Sequence, residues 1–242
     1  MVRDFKTLFP VSKPVIGMIH LAGSSPEQKL WRALRELTVY EEEGLDAAII
    51  ENYYGEVEDV MTALSASKGQ NFTIVRGINV LDNPYFALDM AGLYGAKFVQ
   101  IDSVQTPDLN LKQYDSLREG HRNLVVLGGI GFKYTPPTGN SLEVDLRDGR
   151  SRCEAIVTTG PGTGVETPLE KLKQYREIMG DFPLISGAGV TPQNVYDQLQ
   201  VVDGIIVGSY FKAEERTENV VERQRVKSLM NIVRQVREEA KA

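Results

Sequence analysis

The 242-residue sequence has one cysteine, two histidines and no long apolar run, and each shortage removes a class of protein. A single thiol, Cys153, cannot close an internal disulfide. His20 and His121 lie far apart with no His-Glu-x-x-His pattern, so no zinc site is legible. Cys153 stands just before an apolar strand-type run and reads as a packing residue. No stretch reaches the roughly 20 apolar residues that span a bilayer. The opening Met1-Val2-Arg3-Asp4-Phe5-Lys6 mixes charge with apolar side chains and holds no signal-peptide core. The expectation is a cytoplasmic protein with no membrane insertion. Positive charge is scarce too: 27 Lys and Arg against 33 Asp and Glu leave −6, which argues against non-specific nucleic-acid binding. There is no Walker A sequence and no early Gly-x-Gly-x-x-Gly, and Gly160-x-Gly162-x-Gly164 comes late with the wrong spacing. A doubly wound Rossmann sheet is therefore only the second choice of architecture.

What the sequence does hold is an alternation of strand and helix patterns from end to end. Strand-type runs fall at 15–20, 47–51, 73–80, 98–102, 124–127, 155–158, 184–186 and 205–207. Between them lie helix signals. Ser25-Pro26-Glu27-Gln28, Asn83-Pro84 and Thr167-Pro168-Leu169-Glu170 read as caps, and Thr191 as an N-cap with Pro192 at the first position. The region 132–150, with Pro136, Pro137, Gly139 and Asn140, predicts a long loop and at best a short helix at 142–148. A last helix from about Glu222 carries Val226, Leu229, Met230, Val233 and Val236 at helical spacing, its basic residues on a solvated face. The expected fold class is α/β, a (β/α)8 TIM barrel forming a single domain over 1–242, the usual size for that fold.

In such a barrel the strand-to-helix ends share one face, where the chemistry is kept. His20, Glu51, Asn52, Asn79, Asp102, Thr158 and Thr159 stand at those ends. Glu51 closes the run Ala47-Ala48-Ile49-Ile50, where a carboxylate is costly unless paired or used, so it leads as a catalytic candidate. His20, Asp102 and Asn79 join it as acid/base and amide groups; Arg76, three residues before Asn79, points to the other side of the strand. Asn52, Thr158 and Thr159 are candidates for substrate binding, and Lys133 for an anion. Gly187, Ala188 and Gly189, then Gly208 and Ser209, end the last two strands in the pattern of a phosphate cradle. The expected ligand is a phosphorylated small molecule, with no resident cofactor or metal. A Mg²⁺ held by Glu51 or Asp102 with a substrate phosphate stays open, as does homo-oligomerisation through the outer helices.

Pro14-Val15-Ile16-Gly17-Met18-Ile19-His20-Leu21, Gly44-Leu45-Asp46-Ala47 with Glu51-Asn52, Gly77-Ile78-Asn79-Val80-Leu81-Asp82-Asn83, Ala155-Ile156-Val157-Thr158-Thr159-Gly160 and Gly187-Ala188-Gly189-Val190-Thr191-Pro192-Gln193-Asn194-Val195, followed by residues 203–212, resemble the BtpA family. Its better-known members are linked to photosystem I biogenesis and, in other bacteria, to sugar-utilisation operons. The resemblance implies a ribulose-phosphate-binding-type barrel. It breaks at the fifth strand, where the family has a Val-Lys-His-type sequence and this chain has Leu127-Gly128-Gly129-Ile130-Gly131-Phe132. An activity that depends on that lysine and histidine is not carried over, and the glycine run is expected to open space for a different ligand.

Overall fold

The computed structural model describes residues 4–105 and 109–240. Eight strands, β1 (Val15–Ile19), β2 (Ala47–Glu51), β3 (Val75–Asn79), β4 (Phe98–Ile101), β5 (Val125–Gly129), β6 (Ala155–Thr158), β7 (Leu184–Ser186) and β8 (Gly204–Val207), pair in parallel with their neighbours. β8 returns to β1, so the sheet is a closed barrel. The helices are α1 (Phe5–Leu8), α2 (Pro26–Glu43), α3 (Val57–Lys68), α4 (Pro84–Tyr94), α5 (Leu111–Gly120), α6 (Leu142–Arg150), α7 (Leu169–Met179), α8 (Val195–Val201) and α9 (Arg223–Glu239). This is the expected (β/α)8 barrel. No helix among the described residues is long and apolar enough to cross a membrane.

The strands are apolar on both faces because both are buried, as in parallel sheets generally. Ile16, Ile49, Leu127, Val157, Ile185 and Ile206 point inward, while Val15, Ile50, Val126, Ile156, Leu184 and Ile205 meet the helices. One end of the barrel is plugged. A Cβ on Gly77 would lie 2.3 Å from the Phe98 ring, so the glycine makes room for that ring inside the barrel. Phe9 then packs edge-on against Phe98 at 5.8 Å between centroids, with Phe5 of α1 beside it. The polar chemistry is left to the opposite end.

Most caps follow the sequence. Ser25 accepts from Gln28 N, while the Gln28 side chain turns back to Ser24 and not to Ser25. Asn83 caps α4 through Phe86 N. Two expected helix starts are corrected. Thr167 is fully buried and donates to Ala188 O at 3.3 Å, so α7 begins after Pro168 with no side-chain cap. Thr191 and Pro192 form a turn: Asn194 accepts from Thr191 N and donates to Gly189 O, and α8 starts only at Val195. The Thr167 hydroxyl and the Asn194 side chain hold loops together where helix ends were expected.

The glycine run begins inside β5, and the protein itself fills the space beside Gly128 and Gly129. A Cβ on Gly129 would lie 1.9 Å from Asp102 O, one on Gly128 2.9 Å from Cys153, and one on Gly131 2.4 Å from the Tyr175 hydroxyl. Gly129 and Gly128 thus admit the turn after β4 and Cys153, while Gly131 lines an outer cavity of about 450 Å³ with Ile130, Phe132, Pro136 and Tyr175.

Candidate active site

Side chains two apart on a strand share a face. The inward residues at the open end are His20, just past β1, then Glu51, Asn79 and Asp102 from β2, β3 and the end of β4. Register sets Glu51 directly beside Asn79. Asn79 Nδ2 donates to Glu51 Oε1 at 2.8 Å and to Asp102 Oδ1 at 3.0 Å, so an amide bridges the two carboxylates. Arg76 points outward and donates to Ser67 O. Gln100 Nε2 gives Asp102 Oδ1 a second bond at 3.0 Å.

His20 Nε2 lies 3.9 Å from Glu51 Oε2, and both residues are buried. On its other side the imidazole Nδ1 is 3.3 Å from Thr217 O, a carbonyl, so Nδ1 carries the proton and Nε2 keeps its lone pair toward Glu51. Burial, reinforced by the charge of Lys212, holds His20 well below its ordinary 6.5, so it is neutral. Burial also pushes the Glu51 carboxyl up to about 7; the Asp102 charge adds to this, while Lys133 and Asn79 pull the other way. A carboxyl titrating near neutrality exists in both forms at working pH, which general acid–base catalysis requires. Leu21, directly after His20, has φ 55° although it is a buried non-glycine residue. Backbone strain of that kind collects at functional sites.

Two joined cavities open above the pair. A narrow one of about 40 Å³ is lined by His20, Glu51, Gln100, Lys133, Gly187, Ala188, Gly189, Gly208 and Ser209, with Met18 and Ile206 below. The wider one, about 510 Å³, shares Glu51, Tyr53 and Lys133 and runs past Asn79 and Asp102 to Tyr134 and Pro136. The structure thus brings His20, Glu51 and the five glycine-strand residues around the narrow cavity, and Glu51, Asn79 and Asp102 around the wider one. Asn52, Thr158 and Thr159 lie outside both linings: Asn52 accepts from Leu81 N, Thr159 accepts from Lys133 N, and Thr158 is fully buried with its hydroxyl 3.5 Å from Gly131 O.

The glycine-strand end is built by close approach. Gly189 has φ 63°, and a Cβ there would lie 2.2 Å from Glu166 N. The loop 160–166 therefore lies directly on it. Gly187 spends its N–H on Thr158 O. α8 begins only at Val195, three residues beyond Pro192.

Sequence reasoning missed Gln100, although it stands two residues before Asp102 on the same face and period-two reading reaches it. Tyr53, whose ring lies 5.2 Å from that of His20, and Thr217 come from loops and carry no such signal. Among the described residues no group of three or more His, Cys, Asp or Glu is arranged to hold a metal ion.

Comparison with known proteins places this geometry. An uncharacterized protein of Pyrococcus abyssi is 30% identical over 94% of this chain and 98% of its own length. The photosystem I biogenesis protein BtpA of Synechocystis is 26% identical over 94% of this chain and 90% of its own. Among solved structures, one described as native KDPGal aligns with a TM-score of 0.66 at 16% identity, over 92% of this chain and 95% of that one. Phosphoribosyl anthranilate isomerase from Thermus thermophilus aligns with a TM-score of 0.64 at 14% identity, over 92% and 99%. At these identities the structures speak to the barrel fold. The profile of the BtpA family matches residues 11–235, and the chain belongs to that family.

Proposed function

We propose that this barrel is an enzyme acting on a small phosphorylated metabolite of the sugar or nucleotide-like class, by proton transfer of the isomerase, epimerase or lyase kind. One observation carries the reading. A neutral histidine and a carboxyl titrating near 7 face each other in the same cavity wall as the glycine ends of β7 and β8. In this scheme the Gly187, Ala188, Gly189, Gly208 and Ser209 segment receives the phosphate. Glu51 as carboxylate removes a proton from carbon or oxygen and, once protonated, returns it at the neighbouring atom, while Nε2 of the neutral His20 accepts a hydrogen bond from a substrate hydroxyl. The Lys133 ammonium, which lines both cavities, offsets the negative charge that develops on the substrate oxygen. Asn79 holds Glu51 in place through its hydrogen bond, while burial and the Asp102 charge keep the carboxyl high.

The phosphorylated substrates implied by the name of the Thermus structural neighbour agree with this class, although that likeness is one of fold. A second reading, a ligand-binding assembly factor with no turnover, is favoured by the name of the Synechocystis relative, a photosystem I biogenesis protein.

The test begins with thermal shift against inorganic phosphate, ribose 5-phosphate, glucose 6-phosphate and nucleoside monophosphates. A ligand at about 100 times its Kd adds roughly 2.7 kcal/mol, a shift of several degrees for a chain of this size. Any stabilising sugar phosphate is then incubated in D₂O and followed by mass spectrometry. Wild type is expected to exchange carbon-bound hydrogen or release product. Glu51→Gln is expected to abolish this while keeping affinity within about tenfold, or ~1.4 kcal/mol. A ligand that binds but neither exchanges nor reacts would overturn the acid–base role and favour the assembly reading. Under that reading, a Glu51→Gln/His20→Leu double variant would keep its cellular role.

A further inference from the structure

Gln100 is 3% exposed and points into the narrow cavity below Glu51 and His20. Its Nε2 donates to Asp102 Oδ1, while its Oε1 is buried and meets no hydrogen-bond donor of the described protein. Turning the amide over would not cure this, because Oε1 would then face the Asp102 carboxylate, which can only accept when ionised. Asp102 therefore fixes which way the amide points. A buried acceptor without a partner is unfavourable, and native proteins rarely leave one. Met18 and Ile206 form the apolar floor of the same space, so the floor offers no donor.

We propose that Gln100 is a specificity-determining residue whose Oε1 accepts a hydrogen bond from a hydroxyl of the substrate. The site then takes polyhydroxylated phosphate esters: sugar or sugar-alcohol phosphates with a hydroxyl lowered past Glu51 toward the barrel floor. This rests on the phosphorylated-metabolite reading above and narrows it. The narrow cavity that Gln100 lines is also lined by the glycine segments that receive the phosphate, so a hydroxyl on a carbon near the ester is placed to meet Oε1 there, while the rest of the molecule extends into the 510 Å³ cavity that shares Glu51, Tyr53 and Lys133. A water molecule would also fit the narrow space. The two occupants differ in consequence, since only a substrate hydroxyl makes affinity depend on Gln100. Sites built to pair with a substrate hydroxyl discriminate strongly against the analogue that lacks it.

The experiment measures Kd by calorimetry for wild type, Gln100→Met and, as a second variant of different shape, Gln100→Leu. The probes are inorganic phosphate, ribose 5-phosphate, glucose 6-phosphate and the monodeoxy analogues of each sugar, with every hydroxyl removed in turn. The expected result is that wild type binds a parent ester at least about tenfold more tightly than one of its deoxy analogues. In both variants that ratio falls below about twofold, while the Kd for inorganic phosphate stays within about twofold of wild type. Equal affinity of wild type for parents and all deoxy analogues, with phosphate still bound, would overturn the role of Gln100 and leave the phosphate reading standing. A preference that survives in both variants would overturn it equally. Failure of wild type to bind phosphate or any ester would instead bring down the reading on which the proposal rests.

Discussion

Nε2 of His20 and Oε2 of Glu51 face each other across 3.9 Å, with Nδ1 of the same imidazole turned to Thr217 O. The two groups impose opposite pH dependences on stability. Glu51 is raised from its ordinary 4.5 to about 7, so the folded protein keeps a proton that the unfolded chain releases. Its contribution falls as pH climbs from 4.5 to about 7 and is constant above. His20 is depressed, so below about 6.5 the unfolded chain binds a proton that the folded protein refuses, and stability falls as pH drops. Between 4.5 and 6.5 the slopes oppose.

Glu51→Gln removes one slope and exposes the other. Relative to wild type, the variant is expected to gain stability at pH 8 over pH 4.5 by on the order of 3 kcal/mol, from the size of the Glu51 shift. Urea unfolding at the two pH values measures it. A variant-minus-wild-type difference that does not change with pH would show that Glu51 is not raised.

The loop that holds His20 is itself held by a buried ion pair. Lys212 is fully buried with Nζ 2.7 Å from Glu36 Oε2, and Glu36 Oε1 accepts from Arg32 Nε at 2.9 Å. Arg32 also donates to the carbonyls of Glu218 and Asn219, next to Thr217. Lys212→Met leaves the Glu36 carboxylate buried with one partner fewer and is expected to cost about 3–5 kcal/mol. Lys212→Met/Glu36→Leu should cost less than the sum of the single changes by more than about 1 kcal/mol. Strict additivity in denaturant unfolding would mean that the pair is not coupled.

How far these features could be read from the sequence depends on where each residue sits. Strand and helix periods carried the barrel because each β-run is bounded by turn chemistry, and because strand ends on one face are a property of the topology. Glu51 and His20 were legible as polar closures of apolar runs. Thr167 and Thr191 misled for different reasons: the Thr167 hydroxyl bonds across to a distant acceptor, Ala188 O, whereas at Thr191 the Asn194 side chain takes the backbone N–H and shapes a turn in place of a helix start. The Gly128–Gly131 run was ambiguous because missing side chains do not say whether protein, as at Gly128 and Gly129, or a cavity, as at Gly131, takes the space. Tyr53, Thr217 and the Gly189 contact with loop 160–166 depend on chain segments meeting from different strands, which no local pattern encodes.

Gly189 and Gly208 separate structural from ligand-facing glycine. A Cβ on Gly189 would meet Glu166 N at 2.2 Å in a φ of 63°, whereas one on Gly208 would meet only His20 Cε1 at 3.4 Å and Met18 Cβ at 3.6 Å, at φ −113°. Gly189→Ala is expected to cost more than about 2 kcal/mol by displacing loop 160–166, and Gly208→Ala less than about 1 kcal/mol. Gly208→Ala narrows the cavity beside His20, so its Kd for a phosphate ester should rise at least about tenfold. A Gly208→Ala protein of unchanged stability and unchanged ester affinity would remove β8 from the ligand site.

Cys153 gives an independent clock for the opening of the barrel wall. It is buried at 5% exposure, its Sγ donates to Gly149 O at 3.2 Å, and burial pushes the thiol up to about 12. It also fills the space that Gly128 leaves on the outer face of β5. The thiolate is the reactive form, so the native protein offers a thiol reagent neither access nor nucleophile. Labelling at pH 8 with excess aromatic disulfide is expected to wait on unfolding, and to be immediate and stoichiometric, at one thiol per chain, in concentrated guanidinium. Under native conditions the rate should rise with denaturant in parallel with global unfolding. Rapid labelling without denaturant would mean that the α6 to β6 turn opens by itself, and that the packing of Cys153 against Gly128 does not hold this side of the barrel closed.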